Sequence, residues 1–260
     1  MQNDAGAKGT NPPRDHFSAV AKGYFAFRPR YPAEMFDFLA QTAPGHALAW
    51  DCGCGSGQAT TDLASRFDRV LGTDLAAAQI QAAPQVENIA WRAADAPDSG
   101  LPDASVNLIT AAQALHWFDL DAFYAEVRRV LAPGGVIAAW SYGIVQVADD
   151  VIDAPVQHFR TVTVGPFWPA ERRHVENGYR DLPFPFEEIA APAFAMEAEW
   201  DLPQLLGYIR SWSSVGRYIA EHGADPVSPL ADELLALWGD PATRRTVRWP
   251  LTLRIGRVPV

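Results

Sequence analysis

A glycine-rich loop at residues 51–58, with the sequence DCGCGSGQ, holds the residues whose types and spacing best suit chemistry. Glycines at alternate positions, Gly53, Gly55 and Gly57, let the backbone approach a ligand closely and direct its N–H groups toward it. The spacing is not that of a dinucleotide-binding fingerprint, because the third glycine of that motif, counted from Gly53, would fall on Gln58. A P-loop is excluded because no Lys-Ser/Thr pair follows. The loop therefore predicts either a different ligand cradle or a tight turn.

Two aspartates stand where the next two predicted strands end. The carboxylate of Asp74 can accept hydrogen bonds from both hydroxyls of a ribose. At Asp95, the carboxylate and the adjacent N–H of Ala96 can recognise an adenine edge. Each aspartate alone is equally consistent with a turn or a helix cap. Because the glycine loop also follows a strand, we expect all three features at the carboxyl ends of adjacent strands, where open α/β sheets bind ligands.

The elements that must position these residues alternate in type. From Ala47 onward, short apolar runs ending in Gly or Asp alternate with helical patterns, which is typical of successive βα units of a parallel sheet. The expected strands are residues 47–51, 69–74, 89–95, 106–112 and 135–142. Two predicted helices present apolar faces made of Thr60, Leu63, Ala64 and Phe67, and of Phe123, Val127, Val130 and Leu131. The segment Pro133-Gly134-Gly135 is expected to end the second helix.

After Tyr142 this rhythm breaks, and the sequence up to Phe186 is rich in proline and aromatic residues. We expect an insertion packed over the sheet edge, followed by strands at 194–200 and 245–254 and a helix at 203–213 that complete the same sheet. The predicted organisation is a flexible tail at 1–14 and a single domain at 15–260. Within that domain we expect a cofactor-binding core at 15–142, an inserted cap at 143–193, and C-terminal strands and helices at 194–260.

The charge and cysteine content narrow the range of partners. Asp and Glu number 31 against 21 Lys and Arg, which gives a formal net charge of -10 and opposes nonspecific binding to nucleic acids or anionic membranes. No apolar stretch suits a membrane span or a signal peptide. The two cysteines, Cys52 and Cys54, are too close for an ordinary disulfide and too few for a zinc site, so no metal is expected. We expect a cytoplasmic protein, monomeric or homodimeric, with a small-molecule partner.

Over about residues 17–142 the chain resembles class I S-adenosylmethionine-dependent methyltransferases. The loop at 51–58 resembles the first motif of that family, Asp74 its ribose-binding acid, Asp95-Ala96 its adenine contact, and residues 129–135 the segment before its fifth strand. The departures are Leu75-Ala76 in place of the usual Pro-Ser, and Asn107 in place of a common acid. The resemblance implies a Rossmann-like α/β fold: a seven-stranded, mostly parallel sheet with an antiparallel last strand, helices on both faces and an inserted cap.

The resemblance also implies a cofactor and the residues that bind it. The cofactor is S-adenosyl-L-methionine and the product S-adenosyl-L-homocysteine. The implied cofactor-binding residues are Tyr24, Asp51, Gly53, Gly55, Gly57, Asp74, Leu75, Asp95, Ala96 and Gln113.

Three further segments are similar to trans-aconitate methyltransferases and their relatives. They are residues 24–32 (YFAFRPRYP), residues 112–118 (AQALHWF) and the pair Phe167-Trp168. This branch implies a small-molecule methyl acceptor, often a carboxylate. Among the arginines that could bind a carboxylate with a bidentate fork, Arg28 lies in the first of these segments, whereas Arg30, Arg172 and Arg173 are interpreted as solvated.

The predicted acceptor side follows the fourth strand. His116 is the candidate catalytic residue, as a base, as a hydrogen-bond donor to an acceptor carboxylate, or as a packed structural histidine. Arg28, Trp117 and Trp168 are the candidate substrate-binding residues, with core packing as the alternative for the aromatic pair.

The predicted function is O-methylation of a carboxylate or hydroxyl of a small molecule by in-line transfer. The enzyme mainly has to align the acceptor atom with the methyl group in a site sheltered from water. The alternatives are a non-catalytic protein that binds S-adenosylmethionine and a nucleotide-dependent oxidoreductase, which the glycine spacing disfavours.

Overall fold

The computed structural model describes residues 30–258, so the predicted flexible tail and the site residues Tyr24 and Arg28 lie outside the described residues. Within this range nine strands form one sheet. Their bounds are β1 Ala49–Cys52, β2 Val70–Asp74, β3 Ile89–Ala93, β4 Val106–Ala112, β5 Leu131–Tyr142, β6 Gln146–Val147, β7 Glu187–Glu188, β8 Phe194–Trp200 and β9 Arg245–Arg257.

The first five strands run parallel in the order β3-β2-β1-β4-β5, and β9 lies antiparallel beside β5. Because Leu251 of β9 pairs with Tyr142 on one side and with Phe194 on the other, β5 and β8 occupy opposite edges of β9. The short strands β6 and β7 extend these two edges. The predicted mostly parallel sheet with an antiparallel last strand is confirmed, but it has nine strands rather than seven. The additional two-residue strands are too short to leave a periodic signal in the sequence.

The helices flank the sheet and also build much of the chain after β5. Their bounds are α1 Ala33–Thr42, α2 Gln58–Ala64, α3 Ala77–Ala82, α4 Leu120–Val130, α5 Asp150–His158, α6 Arg172–Glu176, α7 Leu202–Arg210, α8 Ser213–His222 and α9 Val227–Trp238. Short 3-10 turns lie at Leu115–Trp117 and Gly165–Phe167, and a π-helical turn lies at Phe159–Thr163.

Helix α4 shows how the local sequence sets these bounds. It begins after Asp119, whose side chain accepts a hydrogen bond from the N–H of Ala122, and it buries Phe123 and Val127. The prediction that Leu131 extends this helix was wrong. The helix ends at Val130, and Leu131 has extended backbone angles and is the first residue of β5.

The parallel strands are buried on both faces because their side chains alternate between two apolar cores. On one face, Leu108 and Trp140 pack with α1, α2, and helices α5, α7 and α9. On the other face, Trp50 and Ile109 pack with α4 and with Tyr179 from the segment after α6. The helices of the cap region and of the C-terminal region therefore share one core with the sheet.

Candidate active site

The glycine loop connects β1 to α2 and lies at the carboxyl end of the sheet. The N–H of Cys54 donates to the carbonyl oxygen of Thr73 at 2.9 Å, which fixes the loop against β2. Gly57 has a φ of +92° and lies so close to Trp91 that an added methyl group would come within 2.2 Å of the indole ring. Gly55 also has a positive φ, +55°, but a methyl group there would meet no atom within 4 Å. The backbone at Gly55 therefore borders open space on which a ligand could lie.

Asp51 lies beneath this loop. Its carboxylate is fully buried and accepts hydrogen bonds from the hydroxyls of Thr60 on α2, at 2.6 Å, and Thr110 on β4, at 2.7 Å. Burial raises its pKa to about 6, even though both hydrogen bonds act to lower it. Asp51 thus joins three elements under the loop, and a direct cofactor contact for it stays a prediction.

Asp74 lies at the end of β2, beside Gly55. One carboxylate oxygen accepts a hydrogen bond from the N–H of Gly55 and the other from the N–H of Ala76, both at 2.8 Å. The neighbouring Leu75 has 61% of its surface exposed. The structure thus brings the predicted ribose-binding acid against the glycine loop, with an exposed apolar side chain next to it.

Asp95 and Ala96 follow β3 at the same edge. The carboxylate of Asp95 is exposed, and it accepts a hydrogen bond at 2.8 Å from the N–H of Ala96, whose side chain is buried. The two groups that could recognise an adenine edge are therefore paired with each other. Use of the Ala96 N–H by a ligand would require this local bond to be exchanged.

Gln113 follows β4 with a φ of +56°, which is unusual for a residue other than glycine. Its backbone N–H donates to the carbonyl oxygen of Trp140 at 2.9 Å. Within residues 30–258, the buried side-chain nitrogens of Gln113 and Trp140 have no hydrogen-bond partner. The Trp140 ring is fully buried in the apolar core, whereas Gln113 is only partly buried and follows β4 at the carboxyl edge of the sheet. The unpartnered donor of Gln113 therefore indicates a place where a ligand could complete the hydrogen bonding.

The residues at this edge fit S-adenosylmethionine. Gly55 offers open backbone, Asp74 offers a carboxylate for hydroxyl groups, and Gln113 offers an unpaired N–H donor. They follow β1, β2 and β4, which are adjacent and parallel in the sheet.

His116 lies in the turn after β4 and contacts the buried residue Tyr179. Its Nδ1 atom is 3.1 Å from the Tyr179 hydroxyl. Burial raises the pKa of Tyr179 well above its ordinary value, so the hydroxyl keeps its proton and can donate it to Nδ1. This arrangement favours the neutral tautomer of His116 that carries its proton on Nε2.

Burial also lowers the pKa of His116 to about 4. His174 and Arg172 make smaller contributions that lower this pKa further, whereas Glu171 acts to raise it. His116 is therefore neutral near pH 7 and a weak base. Trp117 packs beside it at 4.7 Å between ring centroids, but 52% of its surface is exposed. The turn thus presents a neutral imidazole and an exposed indole.

Trp168 lies in the cap, in a fixed orientation. Its indole N–H donates to the carbonyl oxygen of Arg160 at 3.1 Å, and its ring lies 5.5 Å from that of Trp212. The guanidinium of Arg172 covers the ring at 3.8 Å from its centroid. Any acceptor contact at this ring face therefore involves Arg172 as well.

Sequence reasoning missed several groups near His116. Tyr179 is 63 residues away in sequence, and only the turn signal Asn177-Gly178 beside it is visible locally. The Nδ1 atom of His174 lies 2.8 Å from a carboxylate oxygen of Asp181. No periodic or motif signal identifies these pairs, because the folding of the cap creates them.

Residues 30–258 contain neither a cluster of metal ligands nor a membrane-spanning helix. No group of three or more His, Cys, Asp or Glu side chains there is arranged to hold a metal ion. No helix in that range has the length and hydropathy needed to cross a membrane.

Comparison with known proteins agrees with this geometry. Residues 50–139 match the family described as Methyltransferase domain. A methyltransferase of Dictyostelium discoideum is 34% identical over 225 residues, covering 85% of each chain. A methyltransferase of Mycobacterium tuberculosis is 32% identical over 172 residues, covering 62% of this chain and 69% of that protein.

A solved structure extends the match to three dimensions. The structure of a type II methyltransferase from Anaeromyxobacter dehalogenans superposes with a TM-score of 0.86 at 47% identity, covering 90% of this chain and all of that one. Together with the strand order and the glycine loop, these similarities show that the chain belongs to the class I S-adenosylmethionine-dependent methyltransferases.

Proposed function

We propose that this methyltransferase transfers a methyl group to an oxygen atom of a small molecule, with a carboxylate as the preferred acceptor and a hydroxyl as the second choice. The observation that carries the proposal is the neutral His116 held by Tyr179 after β4. A hydroxyl acceptor needs a base to remove its proton, and an imidazole with a pKa of about 4 is poorly suited to that task. A carboxylate acceptor is already ionised near pH 7 and needs only alignment.

In this proposal Gly55, Asp74 and Gln113 bind S-adenosylmethionine, which supplies an activated methyl group on a sulfonium. His116 donates a hydrogen bond from Nε2 to the acceptor and orients it, while the indole of Trp117 helps to exclude water. The similarity of residues 112–118 to the trans-aconitate methyltransferase branch supports an acidic acceptor. Tyr24 and Arg28, which belong to another segment similar to that branch, remain predicted cofactor and acceptor contacts.

Two measurements test the proposal. S-adenosylhomocysteine should raise the melting temperature, because a ligand that binds only the folded state adds about 2.7 kcal/mol of stability at a hundredfold excess over its Kd. NAD and ATP should have no such effect. Incubation with S-adenosylmethionine labelled in the methyl group should then label small carboxylic acids in preference to phenols and amines. Label on amines alone, or on no small molecule, would contradict O-methylation.

A further inference from the structure

The cap contains two arginines that share one carboxylate. Nη2 of Arg160 and Nε of Arg172 both contact Oε1 of Glu176, the latter at 3.0 Å. Arg160 is only 5% exposed, and its Nε atom has no hydrogen-bond partner within residues 30–258. A buried guanidinium with an unmet donor is costly unless another anion completes its surroundings. The cluster thus carries two positive charges for one negative charge.

Arg172 is held in a defined orientation within this cluster. The Cζ atom of its guanidinium lies over the Trp168 ring, 3.8 Å from the centroid, and its Nε atom contacts Glu176. The side chain remains 30% exposed, and no hydrogen bond within residues 30–258 uses its two terminal nitrogens. The free edge of a guanidinium matches the two oxygens of a carboxylate, and stacking already restricts the orientation of that edge.

The cluster lies near the reacting end of the site. The N–H of Tyr179 donates at 2.8 Å to the carbonyl oxygen of His174 on α6, the helix that carries Arg172, and the Tyr179 hydroxyl lies 3.1 Å from Nδ1 of His116. In line with this placement, Arg172 acts to lower the pKa of the His116 imidazole and the exposed residue Glu171 acts to raise it. His116 follows β4, at the same edge as the cofactor residues.

We propose that Arg172 binds a carboxylate of the methyl acceptor that is separate from the oxygen to be methylated. Trp168 and Glu176 orient its guanidinium, and Arg160 supplies the second positive charge. This inference rests on the proposed function and narrows it: the acceptor is an acid with at least two carboxylates, or a hydroxy acid methylated on its hydroxyl. A substrate without the second anionic group leaves the positive charge and the free N–H groups of this arginine pair without a partner. We therefore expect the enzyme to discriminate against it.

The test compares variants of Arg172 with the same variant of its neighbour. Arg173 is exposed, and its side chain makes no hydrogen bond or ion pair in the described part of the chain, so Arg173→Met is the matched control. A panel of dicarboxylic and hydroxy acids, with their monoamides, is screened with labelled S-adenosylmethionine. The best acid and its monoamide are then compared in the wild type, Arg172→Met, Arg172→Lys and Arg173→Met.

Wild type should favour the acid over the monoamide at least 100-fold in kcat/KM. Arg172→Met should raise KM for the acid at least 30-fold and bring the acid-to-amide ratio near one. Arg172→Lys should recover only part of the loss, because an ammonium can neither stack as a plane nor form the fork. Arg173→Met should stay within twofold of wild type. All variants should bind S-adenosylhomocysteine with unchanged affinity, which shows that they are folded.

A second readout does not depend on turnover. With S-adenosylhomocysteine bound, phenylglyoxal modification of Arg172, mapped by mass spectrometry, should slow when the acid is added, whereas modification of Arg173 should not.

The inference is overturned if Arg172→Met keeps the acid-to-amide ratio of wild type, or if the acid does not protect Arg172. Methylation of phenols or monoacids alone also overturns it, while O-methylation itself stands. If no oxygen acceptor is methylated by an enzyme that binds S-adenosylhomocysteine, the proposed function fails first.

Discussion

Asp74 is a single carboxylate whose two oxygens already accept N–H groups from Gly55 and Ala76. We propose that a cofactor ribose adds hydroxyl donors to the same oxygens, and hydrogen bonds to a charged group are worth about 1.5 to 3 kcal/mol each. We therefore expect Asp74→Ala to weaken S-adenosylhomocysteine binding at least tenfold, measured by titration calorimetry. Some thermal stability should also be lost, because two backbone donors lose their partner.

The control for this prediction is Asp68→Asn, which changes an exposed aspartate outside the loop. Its affinity and melting temperature should match those of wild type. An Asp74→Ala variant that binds the cofactor product as tightly as wild type would exclude this carboxylate from the cofactor site.

His116 gives a pH dependence whose sign follows from its lowered pKa. In the folded protein its pKa is about 4, whereas a histidine in an unfolded chain titrates near 6.5. Between these values the unfolded state binds more protons, so stability present at pH 7 is lost as the pH falls through this range. Compared with His116→Asn, the wild type should lose about 2 kcal/mol of unfolding free energy between pH 7 and pH 4.5.

Urea unfolding of both proteins at several pH values measures this difference. The methyl-transfer rate of the wild type should also show no inflection near pH 6.5 that can be assigned to His116. Such an inflection would be one that is present in the wild type and absent from His116→Asn. If such an inflection exists, His116 changes its charge during turnover and acts as a base, and the acceptor is a hydroxyl rather than a carboxylate.

At the scale of elements, two glycines of one loop are expected to respond differently to the same substitution. Gly57→Ala should strongly destabilise the protein, because the new methyl group would collide with Trp91. Gly55→Ala adds a methyl group in open space and should cost only the strain of its positive φ, about 1 to 2 kcal/mol. That methyl group occupies the ligand side of the loop, so cofactor affinity should fall much more than stability.

Gly216→Ala, in the middle of α8, is the control for both variants, because its methyl group would meet no atom within 4 Å and its φ is ordinary. It should leave cofactor binding unchanged and be neutral or slightly stabilising. Melting curves and calorimetry of all three variants give the comparison. Equal losses of affinity in Gly55→Ala and Gly216→Ala would show that Gly55 does not face the cofactor.

The predicted strands agree closely with the structure, whereas part of the site geometry had no signal in the sequence. β4 matches its expected range, and β2 and β3 differ from theirs by one or two residues, because buried parallel strands appear as apolar runs closed by Gly or Asp. The pairing of His116 with Tyr179 had no such signal. This pairing depends on how the segment after α6, which contains Tyr179, packs onto the carboxyl end of β4, and that packing is a property of the tertiary structure.

Across the whole molecule, the regions on either side of Tyr142 share one hydrophobic core. Trp140 of β5 and Met35 of α1 belong to the same apolar cluster as Leu205 of α7 and Leu234 of α9. We therefore expect residues 30–258 to unfold as one cooperative unit rather than as a cofactor-binding core and a separate cap. Urea transitions followed by tryptophan fluorescence and by far-ultraviolet circular dichroism should coincide.

A cavity created in the C-terminal region gives the stricter test of this cooperativity. Leu234→Ala removes a fully buried side chain and should shift both transitions together, at a cost of about 2 to 5 kcal/mol. Leu235→Ala, at the neighbouring and 48% exposed position, is the control and should have little effect. An early transition in the Leu234→Ala variant, with the glycine loop still able to bind S-adenosylhomocysteine, would show that the helices after β5 unfold independently of the cofactor-binding core.

The position of β9 in the sheet has a consequence for synthesis of the chain on the ribosome. β9 pairs with β5, β6, β7 and β8, and all four precede it in the sequence. None of these pairings can form until Arg245–Arg257 has been made, so β5 waits with an open edge while about a hundred residues are added. At typical rates of translation this takes roughly 5 to 20 seconds. During that interval the nascent chain exposes an apolar strand edge, which makes it a substrate for chaperones and a site of misassembly between neighbouring nascent chains.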